Sequence, residues 1–129
     1  METAVQGALY SALTALGLRV YDAAPQAADG ASLATYPYTE VGSITFAEHD
    51  DKSETGFDFV ARIHTRSRSG SYAEAKEIQA QIFARLHNGD LTLAGQRLYL
   101  IRRELSFCDR VADGSFHGVC EYRGLLEAT

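Results

Sequence analysis

Tryptophan is absent from this sequence, and proline and cysteine occur only twice each. Two cysteines, Cys108 and Cys120, are too few for a disulfide framework, and their spacing fits no zinc signature, which points to a reducing compartment. Basic residues are in the minority, 12 against 17 acidic ones, and the resulting net charge of -5 excludes a dedicated nucleic-acid binder while leaving room for a local basic patch. No apolar run approaches the roughly 20 residues of a membrane span. The first residues, METAVQGALYSALTALG, carry an acid at the front and no basic stretch, so they do not read as a signal peptide. These absences describe a soluble chain made inside the cell. Its 129 residues, free of repeats and low-complexity segments, suit one domain spanning 1–129.

What is present is organised around Gly56 to Gly95. Phe57, Phe59, Ala61, Ile63 and Thr65 alternate with Asp58, Arg62, His64 and Arg66, the pattern of a strand with one buried face. Ser71 and Glu74 make an S-x-x-E capping box, which predicts a helix from about Tyr72 with Ala75, Ile78, Ile82, Phe83 and Leu86 on its packed side. Gly89 is placed for a left-handed C-cap, and Leu91 to Leu93 starts another strand.

Upstream, Thr3 and Gln6 form a second capping box before a helix whose apolar face is Val5, Ala8, Leu9, Ala12, Leu13 and Leu16, stopped at Gly17. Leu18 to Tyr21 is extended. Asp22 to Thr35 reads as a loop with little to hold it rigid, and Tyr36 onward as a strand kinked near Gly42. Ala47 to Gly56, AEHDDKSETG, is expected to be a solvated hairpin tip. Downstream, Leu98 to Phe107 and Phe116 to Leu126 form a hairpin about Asp113-Gly114, with Phe116, Cys120, Tyr122 and Leu126 inward and His117, Glu121, Arg123 and Glu127 outward. The expected fold is α+β, a mainly antiparallel sheet with two helices packed on one face.

Chemistry is scarce. The turn Ser67-Arg68-Ser69-Gly70-Ser71 occupies a P-loop position without the lysine, so a capped helix start with exposed arginines competes with an anion site. His49, Asp50 and Asp51 offer metal-type ligands in a row, but adjacent residues rarely converge on one ion, and a solvated charge cluster accounts for them. His64 and His87 show no partner. Cys108 and Cys120 are expected nearly opposite each other as small buried hydrophobes. Glu40 and Asp58 are the carboxylates that a hairpin brings face to face, a pattern an acid/base pair would need. No cofactor and no metal are expected.

The order of features is itself a signal. ALYSALTAL, RVYDAAPQ, YPYTEVG, FVARIHTRSRSGSYAEAKEIQAQIFARLH, LTLAGQRLYLIRRE and HGVCEYRGLLE together resemble the tail-completion, or tail-terminator, proteins of siphophages and phage-derived gene transfer agents, with extra residues between the PQ turn and YPY. The resemblance implies a structural virion protein without catalytic residues: a subunit of a hexameric ring that caps the tail tube and joins it to the head connector, made in the bacterial host cytoplasm. Its implied partners are further copies of itself, the tail tube protein and the connector or stopper. DNA would pass through the ring without sequence-specific binding, and no membrane is involved. Interface candidates are Glu48, His49, Asp50, Asp51, Lys52 and Glu54 at the tip, and Arg62, Arg66 and Arg68 on the strand and turn. A connector or stopper of the same neck, and a small-ligand-binding or enzymatic α+β dimer, stand beside it as alternatives.

Overall fold

The computed structural model describes residues 2–29, 33–51, 54–93 and 95–128, with the backbone alone at 2, 48–51, 54, 55 and 128. In chain order come α1 (Glu2–Thr14), β1 (Val20–Tyr21), β2 (Tyr38–Asp51), β3 (Glu54–Ser67), α2 (Ala73–Leu86), β4 (Thr92–Leu93), β5 (Gln96–Arg110) and β6 (Phe116–Ala128). The strands form a sheet in the order β1-β2-β3-β6-β5-β4. The class is α+β.

The sheet is mixed, which corrects the expectation of a mainly antiparallel sheet with both helices on one face. β1 pairs with β2 in parallel, Val20 beside Thr39, while the other neighbours are antiparallel. The long connection after Tyr21 carries the chain back far enough to re-enter in the same direction, which a tight hairpin cannot do. The helices also divide the sheet between them. α2 packs on β3, β6 and β5, whereas α1 touches β1 and β2 on one side and β4 on the other. Strands at opposite ends of the order therefore both reach α1, and the sheet curls around it.

Periodicity accounts for α1, where Val5, Leu9, Ala12 and Leu13 are buried along one face. It begins at Glu2, so Thr3 lies inside the helix and does not cap it, and Gln6 instead donates to Asp22 Oδ1 at 3.2 Å. Gly17, at φ 84°, ends it.

α2 buries Ala75, Ile78, Ile82 and Leu86 as the spacing predicts, together with Gln79, whereas Phe83, expected on the same side, is half-buried and stacks on His87 at 4.5 Å. The Ser71–Glu74 capping box does not form: the N-cap is Tyr72, which makes no side-chain cap, and Glu74 Oε1 accepts from the Ser67 hydroxyl at 2.7 Å. Ser67 is fully buried, and a buried hydroxyl claims whatever acceptor comes within reach. At the other end the left-handed residue is Asn88, at φ 57°, and not Gly89. Gly89 is required for space, because a Cβ there would strike the Arg85 carbonyl.

The β2–β3 ladder runs from Tyr38 opposite Arg66 to Asp51 opposite Glu54, with a register shift between Val41 and Ile44, where the kink was expected. Pairing thus continues through most of the stretch expected as a loop tip, and Lys52 and Ser53 lie outside the described residues. Ladder hydrogen bonds need no buried face once the strand pair is anchored, here by Phe46 against Phe59 at 6.2 Å. β3 alternates as predicted, with Phe59, Ala61, Ile63 and Thr65 buried, and β6 answers with Phe116, Cys120, Tyr122 and Leu126.

Two helix-to-sheet bonds finish the core. Gln79 Nε2 donates to the Phe107 carbonyl at 3.0 Å, and His87 Nδ1 accepts from the Arg103 amide at 3.0 Å. Beside them the Asn88 amide donates to the Ile101 carbonyl at 2.8 Å.

Candidate interaction surface

The residues on the sheet face opposite the buried one meet by register. Tyr38 lies beside Arg66, which lies beside His117; Glu40 lies beside His64, which lies beside Val119; Arg62 lies beside Glu121. At the Tyr38 end a groove of about 530 Å³ opens, lined by Tyr36, Tyr38, Glu40, Arg66, Arg68 and Asp113, with Ala23, Ala24 and Gln26 closing one side.

Its aromatic wall is layered. Tyr21 meets Tyr38 edge-on at 5.4 Å, Tyr36 meets Tyr38 at 5.1 Å, and the Arg68 guanidinium lies 4.0 Å from the centre of the Tyr36 ring. Arg19 Nη1 fixes the segment that carries Tyr36 by donating to the Thr35 and Pro37 carbonyls at 3.2 and 3.0 Å. The Asp22–Thr35 loop is better tied than its composition predicts: the Ala24 amide donates to Glu40 Oε2 at 2.6 Å, and the Leu33 amide to the Pro25 carbonyl at 2.8 Å. Asp113 is likewise engaged, accepting from the Ser115 amide and hydroxyl at 2.9 and 2.6 Å, and those bonds hold its carboxyl below the usual range. Burial and the neighbouring Tyr36 push the Tyr38 phenol up, so it stays neutral. The side chains of Arg66 and Arg68 form no hydrogen bond or ion pair among the described residues, so the groove's cationic donors are unspent.

Behind the groove His64 Nδ1 and His117 Nε2 are 2.8 Å apart, their rings stacked at 5.1 Å. One nitrogen donates and the other accepts, so the accepting ring must be neutral and protonation of both rings would break the bond. Burial lowers the His64 pKa, with Arg66 and Arg62 assisting against Glu40; burial, then Arg66 and His64, lower that of His117 to about 4. The unfolded chain takes up these protons near the ordinary imidazole value of about 6.5, whereas the folded chain resists. The stability contributed by the neutral pair is therefore complete above about pH 6.5 and is lost as pH falls toward about 4. After discounting for solvent screening of half-buried rings, the loss should be about 1–2 kcal/mol. Thermal melts from pH 7.5 to 4 should show it, and His117→Gln should flatten that part of the profile; an unchanged slope would refute the assignment.

The sequence-derived candidates separate in space. Arg66 and Arg68 come together at the groove. Arg62 stands apart in mid-sheet, 3.5 Å from Glu121, and Arg123 pairs with Glu104 at 2.9 Å and with Asp58 at 3.4 Å. The backbones of Glu48, His49, Asp50, Asp51 and Glu54 lie at the far end of the β2–β3 ladder, and Lys52 falls outside the described residues. Glu40 and Asp58 do not face each other: their partners across the ladder are His64 and Ala47, because pairing that begins at Asp51 opposite Glu54 sets both carboxylates at different levels of the ladder.

Other chemistry is limited. Cys108 is opposite Gly118 and Cys120 opposite Ser106, whose hydroxyl accepts from the Cys120 thiol at 3.4 Å. Both thiols are free, and burial pushes both upward, away from reactive thiolate. No group of three or more metal-type ligands occurs among the described residues, and no helix there is long and apolar enough to cross a membrane. Sequence reasoning missed Tyr36, Tyr38, Glu40 and Asp113 as a cluster and His64–His117 as a pair. Tyr38 against Arg66 was open to hairpin parity; the β3–β6 register that joins the histidines has no local signal.

Comparison with known proteins shows the family of the chain. The family model described as tail completion protein gp17 matches residues 3–127. The chain belongs to the tail completion protein gp17 family. It is a structural tail-completion protein and not an enzyme. Among solved structures it is similar to a chain in the virion of a native gene transfer agent (GTA) particle, with 26% identity and a TM-score of 0.81, covering 98% of this chain and 97% of that one. No curated protein matches.

Proposed function

We propose that this tail-completion protein works as one tail-terminator-like domain, six copies of which close into a ring at the neck of a siphophage-like or gene-transfer-agent particle. The ring caps the finished tail tube and joins it to the head connector. The observation that carries this reading is the end-to-end likeness, at a TM-score of 0.81, to a chain of a gene transfer agent virion. The physical features agree with it. The carboxylates of the groove are engaged by backbone and hydroxyl donors, while Arg66 and Arg68 keep free donors for an acidic partner. Glu48, His49, Asp50, Asp51, Lys52 and Glu54 at the hairpin end, with Arg62, Arg66 and Arg68, contact the neighbouring copy, the tube protein or the connector. The net charge of -5 suits a passage through which DNA slides without sequence-specific contacts. Synthesis takes place in the host cytoplasm, with no membrane stage.

Removing residues 50–54 should leave the thermal melt within a few degrees of the parent while particles show unjoined or overlong tails by electron microscopy. Light scattering after size exclusion should give a ring mass for the parent and a smaller one for the deletion. Normal infectious or transducing particles from the deletion would end this reading of the hairpin.

A further inference from the structure

We infer that the Tyr36–Tyr38–Arg66–Arg68 groove of one copy receives the acidic end of the β2–β3 ladder, Glu48, Asp50, Asp51 and Glu54, of the next copy, so that these two sites form the head-to-tail contact of the ring. This rests on the ring reading above and names the partner that fills the groove.

The two sites are complementary. Residues 48–54, EHDDKSE, carry four acids against one lysine, a local charge of -3 with histidine neutral. The groove presents two guanidinium groups without ion pairs among the described residues, beside two tyrosines. Its own carboxylates do not compete: Glu40 is held by the Ala24 amide and Asp113 by Ser115. Arg68 is also set in advance, because its stacking on Tyr36 fixes the guanidinium plane and lowers the entropy lost when a carboxylate arrives.

The sites cannot satisfy each other within one copy. The acidic residues are at the Asp51–Glu54 end of the β2–β3 ladder and the groove at the Tyr38–Arg66 end. At about 3.3 Å per residue, Glu54 and Arg66 are about 40 Å apart along a single strand. Two complementary patches on opposite ends of a rigid ladder can pair only between copies, and pairing unlike patches gives a heterologous contact that closes when each step carries a rotation. The bond is electrostatic, so it should weaken as salt rises.

The test uses two full-length variants. In the groove variant, Arg66→Glu and Arg68→Glu, the ladder end is intact; in the ladder-end variant, Asp50→Lys and Asp51→Lys, the groove is intact. Analytical ultracentrifugation should find each alone as a monomer. Mixed one to one they should restore a ring of alternating copies, because the Asp ladder end of one enters the Arg groove of the other and the Lys ladder end of the second enters the Glu groove of the first. All four changes in one chain should restore a ring. If the groove variant melts well below the parent, Arg68→Glu alone replaces it, since Arg68 is exposed and its side chain makes no hydrogen bond. A parental ring unaffected by either variant would overturn this contact and leave the ring itself standing. A parental chain that stays monomeric at every concentration would overturn the ring reading and this one with it.

Discussion

Gly124→Val should abolish most of the stability of this chain, and Gly124→Ala should already lower the urea midpoint with no change in the slope of the transition. Gly124 lies on β6, paired with Phe59 of β3 on one side and Ile101 of β5 on the other. Phe59 is fully buried, and a Cβ at position 124 would collide with its ring at Cε1 and Cζ. Two effects oppose each other. Glycine in a strand costs about 0.5–1 kcal/mol relative to alanine, so the methyl alone should help. Overpacking of a closed core costs about 1–3 kcal/mol and occasionally more, and here the clash is with an aromatic ring in mid-sheet. Steric cost wins: we expect about 2 kcal/mol lost for alanine and more for valine. Phe59→Leu in the alanine background should recover part of it, a coupling that a double-mutant cycle reads directly. A Gly124→Ala midpoint equal to that of the parent would mean that the ring is not where it is described.

The second large effect is expected at Leu13. Its side chain is fully buried in the cluster that joins α1 to Ile78, Ile82 and Leu86 of α2 and to Val41, Ile63 and Leu98 of the sheet. Leu13→Ala should cost about 2–5 kcal/mol, the transfer free energy of the lost carbons plus the cavity they leave. The damage should also have a direction. α1 contacts β1 and β2 at one end of the sheet order and β4 at the other, and β1 is held to β2 through only two residues, Val20 and Tyr21. Loosening α1 should therefore release the Val20 and Thr39 amides to hydrogen exchange before those of β3 and β6. Uniform loss of protection across the sheet would contradict this account. Leu16→Ala, at a position only partly buried, serves as the milder comparison.

Local rules recovered much of this fold. The alternation of β3 and β6, the packed face of α2, the kink near Gly42 and the Asp113-Gly114 turn each rest on neighbouring residues, and each is observed. Several failures share a cause, a partner that lies outside the local pattern. Glu74 caps nothing because Ser67 takes its carboxylate; Gln79 looks like solvent-face glutamine until the Phe107 carbonyl is seen above it. The parallel β1 depends on the path of the following loop. In the candidate site, the three arginines appeared as one set, yet Arg62 is spent on Glu121 while Arg66 and Arg68 face the groove. The resemblance to tail-completion proteins supplied the function, because no single residue here performs a reaction that a motif can announce.

The bonds from α2 to β5 bear on what happens when many copies of this chain are crowded together. Stacking of sheets into fibres needs two open edges on every copy, one to receive a strand and one to offer the next. On β5 the Ile101 carbonyl, the Arg103 amide and the Phe107 carbonyl are already bonded to Asn88, His87 and Gln79. β2 is the other side, and beyond Glu40 it has no neighbouring strand except β3 among the described residues. Accidental pairing of backbone is therefore hindered along β5 at these three groups, and the β2 edge beyond Glu40 is left as the more open of the two.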